Sequence, residues 1–372
     1  MSEHKTDITF DGLDALRERL DAVDEALVRT IAERQALVSE IGRLKASHGH
    51  QTRDFKRERV VLDRARATAT AAGVDAELAE RVLTEMIRSS LEKQERDRVM
   101  ASAAGDGRSA LVIGGAGRMG KWFVEFFHSQ GYAVSIADPA ADTQQDRVFS
   151  DWQSAGVDYD IIVVATTLAL SAKVLDELTK LRPDGLVFDV GSLKTPLRAA
   201  LQRMAAADIR VTSIHPMFGP STQLLAGKQV IFTDVGNAAA TQQARDLFAS
   251  TMATCIDMSI DAHDQIISYV LGLSHATNIA FADALRTSGM DADSITQVSS
   301  PTFDAQLGMG RTVIAENPHL YYEIQRLNDY GLDALRALAA AVNRLETAVA
   351  GDDEASFVAA MQNSRDFFDS EQ

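Results

Sequence analysis

The sequence has a single cysteine, Cys255, in 372 residues. That excludes an internal disulfide and any multi-cysteine metal centre, and no metal is expected. Cys255 falls in a predicted strand and reads as core. No run approaches the ~18 consecutive apolar residues that a membrane span needs. The opening MSEHKTDITF has no basic region followed by an apolar one, so no secretory signal is read and the cytoplasm is the expected compartment. Positive charge is scarce: 37 Lys and Arg against 53 Asp and Glu, a formal net charge of −16. A chain this acidic is not built for sequence-independent binding of nucleic acid or of an anionic membrane, and any site for an anionic substrate must be locally basic. Proline is absent before Pro139, and the first hundred residues hold only four glycines, Gly12, Gly42, Gly49 and Gly73. Both residue types penalise helix interiors, so the first hundred residues are predicted to be helical.

What is present supports this. From Asp11 to Lys45, Leu13, Leu16, Leu20, Val23, Leu27, Thr30, Arg34, Leu37, Ile41 and Leu44 follow a 3-4-3-4 spacing, a heptad seam. A second helix is predicted from Asp54 to Ala71 and a third from Ala76 to Asp97. Residues 99–108, VMASAAGDGR, read as a linker. Beyond them the period changes. SALVIGG, YAVSIAD, DIIVVAT, GLVFDVG, RVTSIHP and KQVIFTD are short β-rich runs separated by helix-length segments, the pattern of βαβ units. From Ala262 the chain reads as helical again. The expected fold is multidomain: an all-α three-helix domain (1–98), the linker (99–108), an α/β Rossmann domain (109–258) and an all-α C-terminal domain (259–372).

Polar residues stand on the helical seam where leucine would pack better. Arg34 is one of them, and a cation there needs an anionic partner. Lys45, eleven residues on, returns to within about 20° of the same face, about 16 Å along the axis, so the two could converge on one small anion. On the third helix Leu83, Ile87, Ser90 and Gln94 form one stripe whose last two members are hydrogen-bonding groups. Arg17 lies 28 residues before Lys45, about 42 Å of helix, so one small ligand can meet both only if Arg17 comes from a second, antiparallel chain.

These residues resemble the all-helical chorismate mutases. The match runs over residues 11–98 without an insertion and falls on Arg17, Arg34, Lys45, Asp54, Arg57, Glu58, Ser90 and Gln94. The resemblance implies an interlocked homodimer that rearranges chorismate to prephenate. Lys45 and Gln94 would stabilise the charge growing on the breaking ether oxygen. Arg17 of the partner chain, Arg34 and Arg57 would clamp the two carboxylates. Asp54 and Glu58 would bind the ring hydroxyl region, with Ser90 as a further polar contact.

The run VIGGAGRMG places Gly115, Gly117 and Gly120 as G-x-G-x-x-G between a predicted strand and helix, with Arg118 and Met119 inside it. A second strand ends at Asp138, twenty-one residues after Gly117. That is the setting of a dinucleotide site: pyrophosphate at the helix N-terminus and Asp138 on the ribose hydroxyls, where a 2′-phosphate would be repelled. NAD is therefore expected. Thr166 ends the strand DIIVVAT at the edge where a cofactor lies.

Further chemistry-bearing segments are GSLK (191–194), HPMFGP (215–220), HDQ (263–265) and GMGR (308–311). His215 ends a predicted strand in a proline- and glycine-fixed segment. With the glycine fingerprint and His275, these segments resemble the prephenate dehydrogenases, above all the form fused behind a chorismate mutase, over roughly residues 109–340. The match departs at DAQL (304–307), where the fused enzymes carry an arginine. The resemblance implies oxidative decarboxylation of prephenate to 4-hydroxyphenylpyruvate. His215 would take the hydroxyl proton, Ser192 would orient that pair and Arg311 would bind the ring carboxylate. His263 and His275 are expected as pocket groups, although a helix-start histidine beside Asp264 explains His263 equally well. Lys194 is either structural or a substrate contact. Tyrosine is a candidate feedback ligand. The competing expectation is one enzyme only, a prephenate or arogenate dehydrogenase whose helical third is a dimerisation or regulatory module.

Overall fold

The computed structural model describes residues 10–48, 53–102, 104–142 and 147–369, without the side chains of residues 10, 11, 46 and 47. Gly49 and residues 1–9 lie outside the described residues. Three helices come first: α1 (Phe10–Ser47), α2 (Phe55–Ala71) and α3 (Ala76–Ser102). Asp54 caps α2, its carboxylate accepting the Arg57 amide at 2.9 Å. α2 and α3 pack on each other, and α3 also meets the C-terminal half of α1. On the seam, Leu16, Leu20, Val23 and Leu27 are each more than half exposed. Apolar residues at heptad spacing with no cover among the described residues call for a second copy.

The first four residues of the predicted linker, 99–102, are helix, and residues 104–107 form turns. α3 runs to Ser102 and carries one domain onto the next. Glu95, 3% exposed, accepts the Leu225 amide at 2.6 Å and the Met252 amide, while Arg98 Nε donates to the Ser250 carbonyl at 2.6 Å. These partners hold α3 in a helical continuation where composition alone predicts a flexible joint.

The second domain is one sheet. Its strands are β1 (Ser109–Ile113), β2 (Ala133–Ala137), β3 (Val148–Phe149), β4 (Ile161–Val164), β5 (Leu186–Asp189), β6 (Val211–Pro216), β7 (Gln229–Thr233) and β8 (Thr254–Met258). Their spatial order is β3-β2-β1-β4-β5-β6-β7-β8, and every pair is parallel except β6–β7. Its helices are α4 (Arg118–Ser129), α5 (Trp152–Ala155), α6 (Leu168–Leu181), α7 (Arg198–Ala206) and α8 (Ala238–Asp246). Apolar strands such as Ile161–Val164 are wholly buried because helices cover both faces. One face holds Trp122, Phe123, Phe126, Phe127 and Phe248; the other holds Val174, Leu175, Leu178, Leu201 and Met204. The chain order reverses between β1 and β4, so a crevice opens at their C-terminal ends, where doubly wound folds bind ligands. Cys255 is half-buried on β8, packed against the core.

The last domain comprises α9 (Ile260–Ile267), α10 (Ser274–Thr287), α11 (Ala292–Gln297), α12 (Pro301–Ile314), α13 (Pro318–Arg326), α14 (Gly331–Ala350) and α15 (Glu354–Asp369). A π-helical turn, Ser268–Leu273, joins α9 to α10, and Gln325 donates to its Gly272 carbonyl at 2.7 Å. His263 and His275 therefore do not share one straight α-helix. Leu345, Val349, Met361, Phe367 and Phe368 leave an exposed apolar surface on α14 and α15. Among the described residues no helix is long and apolar enough to cross a membrane.

Candidate active sites

In the helical domain α1 and α3 bring together Arg34, Ser90 and Gln94. Arg34 Nη1 donates to Ser90 Oγ at 3.1 Å and to the Met86 carbonyl at 3.3 Å. No carboxylate of the described residues pairs with Arg34, and burial lowers its pKa from the ordinary arginine value. A half-buried guanidinium with only neutral partners leaves its charge available for an anion from outside. Gln94 reaches across to α1 and donates to the Val38 carbonyl at 2.9 Å. Residue 42 on α1 is glycine, and a Cβ there would crowd the Gln94 side chain at 3.1 Å. Lys45, half-buried, follows Gly42 by three residues and so lies on the flank of α1 that Gln94 touches.

The other expected residues divide. Glu58 is held by Arg53 through bonds of 3.0 and 3.1 Å, a pairing that the motif did not include. Arg57 is exposed at the rim of an apolar groove between α2 and α3. Asp54 is engaged as the cap of α2. Arg17 pairs with Asp14 at 3.1 Å near the far end of α1, and one chain does not bring it to Lys45.

The glycine fingerprint opens α4. Gly117 is its N-cap and supplies no side chain, leaving the helix N-terminus uncovered. Gly114 turns the chain at φ +85°, and a Cβ on Gly120 would stand 2.0 Å from the Gly114 carbonyl oxygen. A Cβ on Gly115 would meet Ile136 Cγ2 at 2.8 Å. The close approach of loop and helix is thus available to glycine alone. A cleft of about 370 Å³ beside this turn is lined by Gly114, Gly117, Asp138, Pro139, Thr166 and Leu170 among others. Asp138 accepts the Ala116 amide at 3.2 Å and the Ala140 amide at 2.8 Å, which fixes its carboxylate at the cleft. The Thr166 hydroxyl lies 2.9 Å from that of Ser171. Met119 packs against the core, while Arg118 leaves the loop and pairs with Glu316, at the end of the α12 segment, at 2.5 Å. The residues present fit a dinucleotide: an open helix N-terminus, a turn with no room for a Cβ, and an acid at the end of the second strand.

His215 ends β6, 5% exposed. Its Nδ1 lies 2.9 Å from His263 Nε2, and His263 Nδ1 lies 2.6 Å from Asp264 Oδ1. Asp264 in turn accepts the Lys194 amide at 2.9 and 3.1 Å, the Thr195 amide at 2.6 Å and the Thr195 hydroxyl. Burial, with His263 and Lys194 beside it, pushes the His215 pKa well below the ordinary value. Burial also lowers His263, against the pull of Asp264.

Two expectations are corrected here. The His215 ring is held by His263, which reaches it from α9. His263 is not a pocket group: it is wholly buried, and both ring nitrogens are used inside the protein. Lys194 is structural. Its ammonium is wholly buried and donates to Asp189 at 3.0 Å and to the Gly191 and Ile214 carbonyls at 2.7 Å, with no donor left over for substrate. His275 is half-buried with its ring 4.0 Å from that of Tyr321, and burial lowers its pKa. Its Nδ1 is buried with no hydrogen-bond partner. Arg311 is exposed on α12. Sequence reasoning missed Asp264, Thr195, Asp189, Arg53 and Tyr321. The first three stand inside or beside the HDQ and GSLK motifs, so the signal was present but the contact between the motifs was not.

Residues 16–95 match the type II chorismate mutase family, residues 136–257 the nucleotide-binding domain of prephenate dehydrogenase and residues 259–363 its dimerisation domain. Over 357 residues the chain is 28% identical to the T-protein of Enterobacter agglomerans, covering 96% of this chain and 93% of that one. It is 25% identical over 364 residues to the T-protein of Haemophilus influenzae, with the same shares. Among solved structures, the prephenate dehydrogenase of A. aeolicus, in complex with hydroxyphenyl propionate and NAD+, aligns with a TM-score of 0.56 at 17% identity, covering 71% of this chain and 98% of that one; the fold is shared.

Fold and sites define a fused two-site enzyme, an all-helical mutase ahead of a Rossmann-fold dehydrogenase with a helical dimerisation domain. The chain belongs to the bifunctional chorismate mutase/prephenate dehydrogenases of tyrosine biosynthesis.

Proposed function

We propose that the helical domain rearranges chorismate with Lys45 and Gln94 at the ether oxygen, and that Arg34, Arg57 and the partner chain's copy of Arg17 grip the carboxylates. The reaction needs no nucleophile. Donors fixed where negative charge grows stabilise the transition state more than the substrate. Glu58, Asp54 and Ser90 complete the polar wall. Support comes from Arg34, whose hydrogen-bond partners among the described residues are neutral, and from the uncovered seam of α1, which an antiparallel second copy would bury. The functional unit is then a homodimer.

The second site takes prephenate. Gly115, Gly117, Gly120 and Asp138 hold NAD at the start of α4, with Arg118, Met119 and Thr166 bordering it. When bound there, the nicotinamide ring supplies the acceptor for a hydride. His215 accepts the proton of the ring hydroxyl at Nε2, the nitrogen that has no hydrogen-bond partner among the described residues, and must be neutral to do so. Loss of CO₂ then gives the aromatic ring of 4-hydroxyphenylpyruvate. Arg311, with His275 and Ser192, borders the substrate side. In this reading the cytoplasm is the enzyme's compartment. The product differs from tyrosine by a keto in place of an amino group, so tyrosine fits the same pocket as a feedback ligand. For domain limits we propose a mutase domain ending within α3, a nucleotide-binding domain to residue 258 and the helical domain beyond.

The observation that carries the reading is the presence of both constellations in one chain; prephenate, the product of the first reaction, is the substrate of the second. Two variants test it. His215→Asn should abolish NADH formation from prephenate and leave chorismate turnover intact; Gln94→Ala should do the reverse. Retained dehydrogenase activity in the first or retained mutase activity in the second removes the corresponding assignment.

A further inference from the structure

The bonds beneath His215 have a direction, and Asp264 sets it. Its carboxylate meets four donors, namely two backbone amides, the Thr195 hydroxyl and His263. Four donors on two oxygens favour the ionised form, and an ionised carboxylate only accepts. His263 Nδ1, 2.6 Å away, must therefore carry hydrogen. A neutral His263 then has a bare Nε2. At 2.9 Å that lone pair can be satisfied only by a hydrogen on His215 Nδ1. A neutral imidazole with hydrogen on Nδ1 has its lone pair on Nε2.

We propose that His263 and Asp264 are positioning residues that lock His215 in the Nδ1–H tautomer, so that Nε2 is presented as the proton acceptor. The inference rests on His215 being the base of the dehydrogenase and deepens that assignment. It gives the HDQ motif a role without exposure to substrate, in keeping with the complete burial of His263 and Asp264. When Nε2 takes the hydroxyl proton, His215 becomes an imidazolium whose Nδ1–H still points at the His263 lone pair, and the Asp264 charge lies one ring further on. No group has to turn during the step. Lys194 and Asp189 are the other charged groups beneath the two rings, and they are paired with each other at 3.0 Å.

The test compares His263→Gln, His263→Leu and Asp264→Asn in the full-length chain. Glutamine can return a carbonyl acceptor near the place of Nε2; leucine cannot. The asparagine amide can donate to His263 Nδ1, which would move the hydrogen to His263 Nε2 and from there reverse the His215 tautomer. With prephenate and NAD, His263→Leu and Asp264→Asn should lower kcat by roughly 10²–10³-fold, the range of a misplaced general base, with both KM values within a few-fold. His263→Gln should remain within about tenfold of the parent. The acidic limb of kcat should move to lower pH in His263→Leu, because the imidazolium loses its acceptor. A readout without turnover is the nitrogen-15 spectrum of histidine-labelled protein, with His215 assigned by its loss in His215→Asn. The parent should show a protonated Nδ1 and a bare Nε2, and Asp264→Asn the opposite. An Nε2–H tautomer in the parent, or equal losses in His263→Gln and His263→Leu with an unmoved pH profile, overturns the proposal. If His215→Asn keeps full dehydrogenase activity, the base assignment fails instead, and the spectrum still reports the tautomer.

Discussion

Replacing Arg34 by glutamine removes a charge that the protein does not itself use. Within the chain, Arg34 makes two bonds to neutral acceptors, at 3.1 and 3.3 Å, from a half-buried position. Their loss should cost the fold no more than about 1 kcal/mol. The bound state differs. A guanidinium on a carboxylate gives two charge-assisted bonds of about 1.5–3 kcal/mol each. Allowing glutamine one weak bond of about 1 kcal/mol in return, the transition state loses about 2–5 kcal/mol, a fall of roughly 30-fold to 10⁴-fold in kcat/KM at about 1.4 kcal/mol per tenfold. Loss of chorismate absorbance under initial-rate conditions measures this, with NADH formation from prephenate as the internal control. Mutase activity within threefold of the parent, with an unchanged melting curve, would refute the assignment of Arg34 to a substrate carboxylate.

Other expectations follow from the same geometry. Gly120→Ala puts a Cβ 2.0 Å from the Gly114 oxygen, so dinucleotide titration should show affinity lost by at least tenfold while chorismate turnover is kept. His215 is held well below the ordinary histidine value by burial, so its neutral form persists as pH falls through about 6.5; the acidic limb of dehydrogenase kcat/KM should lie below that pH. The same shift means that the unfolded chain takes up a proton near pH 6.5 that the folded chain refuses, so denaturant titrations should show stability falling as pH drops below about 6.5. Glu95→Ala leaves the buried Leu225 and Met252 amides without an acceptor, about 1–3 kcal/mol each; Tm should fall, and limited proteolysis should cut between α3 and the Rossmann domain more readily.

The legible parts of this chain are those written in local period and spacing. The heptad leucines give α1, the β-rich runs give the strands, and VIGGAGRMG gives the turn into α4, all within a few residues of their observed limits. The meeting of Arg34 with Ser90, and of Gln94 with α1, was legible because helical spacing sets these residues on stripes of α1 and α3. What was not legible depends on distance in sequence. His215 and His263 stand 48 residues apart, and Asp264 and Lys194 stand 70 apart. Each motif was visible, but a lone HDQ does not say that its histidine faces inward. Residues 99–102 read as a joint because small and polar residues suit one; Glu95 and Arg98, anchored to the next domain, keep them helical. The histidine that holds the His215 ring comes from α9, a separate element that no local pattern links to β6.

The central claim is that one chain performs two consecutive reactions. Purified protein given chorismate and NAD, with no added prephenate, should form NADH and 4-hydroxyphenylpyruvate in equal amounts. NADH from supplied prephenate but none from chorismate would contradict the claim and leave the helical domain without catalysis.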